Sequence, residues 1–195
     1  MVLLGPPGAG KGTQATRLSE RTGVPVLGTG ELLSRHIATG TALGEQARAC
    51  VERGELVPDD LVTAMVRERL SNNDCTDGFI VDGFPRTVPQ AEALDLLLAE
   101  RSERLDAVVE LAVDEGQVLA RIRGRARAGH RLDDTVDTAR NRLRVFAAET
   151  APLRDYYRQQ GLLATVDGNR APDEVTASID AALGEHVDPK AGRDA

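Results

Sequence analysis

Tryptophan is absent from these 195 residues, and aromatic side chains of any kind make up only 3%. A core here has to be aliphatic, assembled from Leu, Val, Ile and Ala. Cysteine occurs twice, at Cys50 and Cys75, in unrelated contexts and with no C-x-x-C spacing. That excludes a disulfide framework and gives no zinc signature, which leaves two reduced, small hydrophobes. Histidine is scarce as well: His36, His130 and His186 stand far apart and read as surface residues. No apolar run is long enough for a membrane span. The run that starts at Val2 leaves no room for a targeting segment, so a cytoplasmic location is expected. Basic residues are in the minority, 24 against 31 acidic, for a net charge of −7. Such a chain is not a general binder of nucleic acid or of anionic membranes. Any phosphate it holds must be met by positive charge concentrated locally.

What is present is ordinary for a globular protein: 41% hydrophobic and 28% charged residues, enough length for one α/β core with small insertions. Short apolar runs alternate with helical patterns, which implies parallel strands joined by crossover helices. The strand candidates are Val2–Leu4, Pro25–Leu27, Phe79–Val81, Ala107–Leu111 and Leu162–Val166. Phe79-Ile80-Val81 is apolar without alternation, as a strand covered on both faces should be. Helical spacing joins Ala15 to Leu18 and Thr22, Val62 to Val66 and Leu70, and Val118 to Ile122. Val175, Ile179, Ala182 and Leu183 form a closing helix, with Pro172, Asp173 and Glu174 at its start. The tail 187–195 lacks a periodic face and is expected to be disordered. Two stretches depart from the alternation. After the second strand, residues 28–57 hold two short helical patterns, parted at Gly40-Thr41 and ended by Gly54. Residues 123–134 read as a compact loop carrying Arg123, Arg125, Arg127 and Arg131 with no acid before Asp133.

The most specific signal is Gly5-Pro6-Pro7-Gly8-Ala9-Gly10-Lys11-Gly12-Thr13, between the first apolar run and a helical pattern. Glycines let backbone N–H groups close around an anion, and a helix N-terminus aims its dipole at it. Lys11 can reach β- and γ-phosphates as a point charge. The strict pattern G-x-x-x-x-G-K-[ST] is missed by one residue, because Gly12 intervenes before Thr13. A second constellation, Asp82-Gly83-Phe84-Pro85-Arg86, follows the central strand candidate directly. An aspartate there is placed to hold Mg²⁺ through water. Gly83 permits close backbone approach, and Arg86 offers a planar fork for phosphate oxygens.

GPPGAGKGT, TGELL, GELVP, DGFPR with Gln90 four residues after its arginine, and RLDD followed by Arg142 occur in that order. Together they resemble the nucleoside monophosphate kinases, and most closely the adenylate kinases, from Val2 to about Leu183. The resemblance implies a P-loop NTPase-type five-stranded parallel sheet flanked by helices. It also implies a helical NMP-binding insertion at 28–57 and a short lid at 123–134. The implied reaction is Mg·ATP plus AMP giving two ADP, by a monomer. A UMP/CMP kinase, or a nucleotide-binding protein that does not turn over, are the alternatives.

By the same resemblance, Gly8, Ala9, Gly10, Lys11, Gly12 and Thr13 hold ATP phosphates, with Arg121, Arg125 and Arg170 on the ATP side. Thr29, Arg35, Glu55, Leu56, Val57, Gly83, Phe84, Pro85 and Gln90 form the AMP pocket. Arg86, Arg131 and Arg142 surround the transferred group, and Asp82 orients the waters of Mg²⁺. Some lids of this family carry four zinc ligands; this one has no cysteine and one histidine, so no zinc is expected. Plainer roles compete. Thr87-x-x-Gln90 has the pattern of a capping box, and Thr29 could cap the helix that follows it. The arginines of 123–131 could form a solvated loop or a nucleic-acid patch. One residue departs from the pattern: Ser34 stands where the family has an arginine for the AMP phosphate, and Arg35 follows it. A helix turns about 100° per residue, so Arg35 has to reach back to compensate, and that is the expectation.

Overall fold

The computed structural model describes residues 1–127 and 136–186, and for 125–127, 136, 185 and 186 the backbone alone. Strand β1 (Val2–Leu4) leads through the glycine-rich turn into α1 (Lys11–Thr22), and β2 (Val26–Gly28) follows. The insertion is a helix pair, α2 (Thr29–Ala38) and α3 (Ala42–Arg53), before α4 (Asp59–Leu70). Thr41 caps α3 by accepting from the Gly44 N–H at 3.1 Å. Then come β3 (Ile80–Asp82), α5 (Val88–Glu100), β4 (Val108–Ala112), α6 (Glu115–Arg127) and α7 (Val136–Val145). One π-helical turn (Phe146–Thr150), α8 (Leu153–Gln159), β5 (Leu163–Asp167) and α9 (Pro172–His186) complete the described chain.

The five strands are parallel in the order β2-β3-β1-β4-β5. The connection from β1 leaves towards β2 and that from β3 towards β4, so the two run in opposite directions. A crevice opens at such a switch point, beyond the carboxyl ends of the strands. The sheet is covered on both faces, as its uninterrupted apolar strands require. On one face Val2, Leu4, Val81 and Val108 pack with Leu94, Leu98, Leu153 and Tyr157. On the other Leu3, Ile80, Val109 and Leu111 pack with Ala15, Leu18, Val175 and Ile179. Glu110, inside β4 and only 4% exposed, is paired with the Arg154 guanidinium from α8.

The elements differ from the sequence reading in three respects. Strands β2 to β5 each sit one residue further along than expected. Pro25 has no N–H, so it contributes only its carbonyl, which accepts from Ile80 N at 2.9 Å. Helices α5, α7 and α8 are additional; the leucine block of α5 lacks a clean period, and the arginine-rich α7 has little apolar face. The segment from Arg123 is helical as far as Arg127, not a loop. Arg and Ala are strong helix formers, and one glycine among them does not stop the helix. The rest of the expected lid, 128–134, and the tail 187–195 lie outside the described residues. His36 is half-buried, with Nδ1 2.9 Å from Thr41 Oγ1, and so is not the surface residue expected.

Candidate active site

A cleft of about 480 Å³ lies at the carboxyl ends of β1 and β3. Its β1 wall is the glycine-rich turn. Ala9 N donates to Pro6 O at 3.1 Å, tightening the loop, and Gly10 caps α1 in the left-handed region at φ +99°. A side chain on Gly10 would meet nothing within 4 Å, so the cap opens onto free space. Lys11, Gly12 and Thr13 line the cleft and form the first turn of α1, where the dipole favours an anion. The Lys11 ammonium donates to Gly5 O at 2.7 Å and Pro6 O at 3.1 Å. Arg121 of α6 fastens this wall: it donates to Ala9 O at 3.2 Å and to Gly168 O, beyond β5, at 2.9 Å.

Strand β3 delivers Asp82 to the same place. Its Oδ2 lies 3.5 Å from where a Cβ on Gly12 would sit, ordinary contact distance, so the carboxylate stands against the first turn of α1. Gly83 has φ +87°, and a Cβ there would stand 2.7 Å from Thr29 Oγ1. Only glycine allows the chain to turn this close to α2. Arg86 then bends back, its Nε donating to Gly83 O at 2.8 Å. Its backbone is held from both sides: N–H to Gln90 Oε1 at 2.7 Å, and C=O from Thr150 Oγ1 at 2.9 Å. Arg142 of α7 also lines the cleft, and Asn141 beside it donates to Arg53 O at 2.6 Å, joining α7 to the end of α3. Lys11, Arg86, Arg121 and Arg142 therefore meet at one cleft of an acidic chain.

Most of the residues named from sequence come together here, and some do not. Gly8, Gly10, Lys11, Gly12, Thr13, Asp82, Gly83, Pro85, Arg86, Gln90, Arg121 and Arg142 line the cleft, as do Thr29, Glu55, Leu56 and Val57. Ala9 and Phe84, 3% and 1% exposed, are packed in the core and do not line it. Arg170 is exposed and pairs with Asp167 at 3.3 Å. Arg35 is directed elsewhere: it pairs with Glu31, one turn earlier, at 3.6 Å, while Ser34 lines the cleft. The 100° step between neighbours on a helix separates them. Arg131 and the Arg125 side chain lie outside the described residues. Glu55 is held below the usual carboxylate range, first by its hydrogen bond with Arg53.

The two capping alternatives resolve differently. Gly28, not Thr29, caps α2; Thr29 is 2% exposed and turns its hydroxyl to Asp82 O at 3.4 Å. Thr87 does cap α5, accepting from Gln90 N at 3.3 Å. The Gln90 side chain, however, reaches Arg86 N, one residue before the cap. Sequence reasoning missed Asp59, which stands at hydrogen-bond distance from Gln90 and Thr87, and the π-helical turn that brings Phe146 and Thr150 to the cleft. Such turns recur at functional sites, yet no sequence pattern marks this one.

The adenylate kinase family model matches residues 3–162 of the chain. A protein of Parvibaculum lavamentivorans named adenylate kinase is 49% identical over 187 residues, 94% of this chain and 91% of its own. One of Mycobacterium tuberculosis with the same name is 50% identical over 185 residues, covering 95% and 99% of the two chains. A Thermus thermophilus adenylate kinase is also 50% identical, over 94% of this chain and 96% of its own.

Proposed function

We propose that this chain, which belongs to the adenylate kinase family, transfers the γ-phosphoryl group of Mg·ATP to AMP, giving two ADP. The observation that carries this reading is the meeting at one cleft of the glycine-rich turn after β1 with Asp82 and Arg86 after β3. An oxygen of the AMP phosphate is already ionised and attacks the γ-phosphorus directly, so no general base is needed. The bond from that phosphorus to the bridging oxygen breaks, and its electrons leave on the β-phosphate of the new ADP. What the protein supplies is placement and charge.

Each wall has its share in this. Gly8 to Thr13 and the amino end of α1 take the ATP phosphates. Lys11 exchanges the Gly5 and Pro6 carbonyls for β- and γ-oxygens. Arg86 and Arg142, with Arg131, take the charge of the group in transit. Magnesium arrives with ATP as part of the substrate and neutralises charge between its phosphates. The Asp82 carboxylate, close against Gly12 and the start of α1, suits a water-mediated hold on it. Among the described residues no cluster of three His, Cys, Asp or Glu side chains forms a metal site of its own. AMP is assigned to Thr29, Glu55 to Val57, Gly83, Pro85 and Gln90, and the ATP base to the side of Arg121, Arg125 and Arg170. The stretches 28–57 and 123–134 are read as covers that exclude water during transfer. The reading is of a cytoplasmic monomer that carries no zinc and takes nucleotides, not nucleic acid.

Coupled measurement of ADP formation with AMP, UMP, CMP and GMP tests this. Turnover with AMP far above the others is expected. Equal or better turnover of UMP or CMP replaces the reading with a pyrimidine nucleotide kinase. No turnover with any of them leaves a nucleotide-binding protein.

A further inference from the structure

Asp59 opens α4 and reaches behind the cleft wall. Its Oδ1 accepts from Gln90 Nε2 at 2.6 Å, and its Oδ2 accepts from Thr87 Oγ1 at 2.8 Å. On the other side of the same amide, Gln90 Oε1 accepts from Arg86 N at 2.7 Å. Gln90 is 2% exposed, yet it lines the cleft. Its amide thus stands between a carboxylate, which can only accept, and a backbone N–H, which can only donate. Turned over, the amide would set NH₂ against N–H and oxygen against carboxylate, losing both bonds for two repulsions. The order of oxygen and nitrogen is therefore locked from both sides. Each atom keeps one further position: a second lone pair on Oε1 and a second hydrogen on Nε2.

We propose that Asp59 is a positioning residue that sets purine selectivity by locking the Gln90 amide for a 6-aminopurine. The inference rests on the reading above, in which Gln90 meets the base of the monophosphate. A 6-aminopurine presents an amino donor beside a ring-nitrogen acceptor. A 6-oxopurine presents the reverse: a carbonyl acceptor beside an N1–H donor. A base fixed by its ribose and phosphate shows this edge to the amide in one direction only. The locked amide satisfies the amino base and opposes like to like with the oxo base. A free amide would turn over and satisfy either. Discrimination then depends on a carboxylate that touches no nucleotide.

The test is a comparison of kcat/KM for AMP and for IMP, which differ only at this edge, with ATP as donor. Wild type, Asp59→Asn, Asp59→Ala and Gln90→Leu are measured, with thermal unfolding to establish that each is folded. An asparagine can meet Gln90 with oxygen or with NH₂, so the carboxylate's side of the lock is released without loss of volume, and the Arg86 N–H alone still favours the original order. The AMP to IMP ratio is expected to fall about tenfold in both Asp59 variants, the scale of one hydrogen bond to a charged group. In Asp59→Asn the fall comes chiefly from better use of IMP. An unmoved ratio in the folded Asp59 variants, with a collapsed ratio in Gln90→Leu, overturns the lock and leaves the base pocket standing. An equal loss with both substrates means that Asp59 only supports the fold, and overturns it too. A ratio that Gln90→Leu does not change shows that the base is not read at Gln90; the pocket assignment then fails, and the lock with it.

Discussion

The β1 wall of the cleft is chiefly backbone, with the Lys11 ammonium its one cation from the loop, and the β3 wall is chiefly side chains. The first is nine consecutive residues, Gly5 to Thr13, shaped by a left-handed glycine cap and pinned by Arg121 to the carbonyls of Ala9 and Gly168. The second draws Thr29, Asp59, Gly83, Arg86, Gln90 and Thr150 from separate segments and joins them by hydrogen bonds spanning up to 64 positions. A backbone wall presents the same amide groups to any phosphate. A side-chain wall can distinguish one partner from another, because each member fixes the orientation of the next. The division suits a reaction whose donor is recognised by its phosphates and whose acceptor must be chosen.

Replacement of Lys11 should break the first wall alone and have the largest effect. Its ammonium is a cation of that wall, donating to two loop carbonyls, and in the proposed reaction phosphate oxygens take their place. Lys11→Ala is expected to lower kcat by about 100-fold or more, the scale of losing one preorganised group opposite developing charge. The side chain is half-buried and outside the core clusters, so the unfolding temperature should change little. A folded variant with near-native kcat would remove the wall from the mechanism.

A smaller effect, on stability, separates the walls at their glycines. Gly10→Ala and Gly83→Ala both place a side chain at positive φ, +99° and +87°. At Gly10 the new Cβ meets nothing within 4 Å; at Gly83 it meets Thr29 Oγ1 at 2.7 Å. Gly10→Ala should cost about 1–2 kcal/mol from backbone conformation alone. Gly83→Ala should cost more, towards about 3 kcal/mol, since Thr29 is buried and must shift as well. Urea denaturation midpoints measure both. The AMP KM should rise in Gly83→Ala more than the ATP KM does. Equal costs would mean that the β3 wall yields as easily as the open loop.

The same contrast explains what the sequence could show. The β1 wall was legible because glycine, lysine and threonine have to stand at fixed spacing in one stretch, and the five strands were legible as apolar runs between helical patterns, though their order in the sheet was not. Asp82 and Arg86 were legible because they sit at a strand end beside that motif. The Asp59–Gln90–Arg86–Thr150 chain was not, since none of its links is a spacing rule. Gln90 showed two plausible roles in sequence, and the structure gives its side chain to neither cap nor solvent. The Glu31 partner of Arg35 was not legible for a related reason: a motif fixes the order of residues but not the direction a neighbouring side chain takes when another partner is close.

That partner is Glu31, and it gives the smallest expected effect. Arg35 lies one turn after Glu31 on α2 at 3.6 Å, with side chains 68% and 81% exposed. An exposed pair of this spacing contributes about 0.3–0.5 kcal/mol, so Arg35→Ala should leave stability almost untouched. It should also leave the AMP KM within about twofold of wild type, a shift of less than about 0.5 kcal/mol, because the guanidinium is outside the cleft. Ser34 is inside it, with its hydroxyl turned back on Gly30 O at 2.8 Å. A guanidinium at that position stands over the acceptor wall, and one charged hydrogen bond to phosphate is worth about 1.5–3 kcal/mol. Ser34→Arg is therefore expected to raise kcat/KM for AMP by about tenfold, near the lower end of that range. A tenfold rise in AMP KM for Arg35→Ala would reverse the assignment. It would mean that Arg35 leaves Glu31 and crosses about 100° of helix surface to reach the phosphate. Measured side by side with both nucleotides varied, the two substitutions decide which face of α2 the acceptor meets.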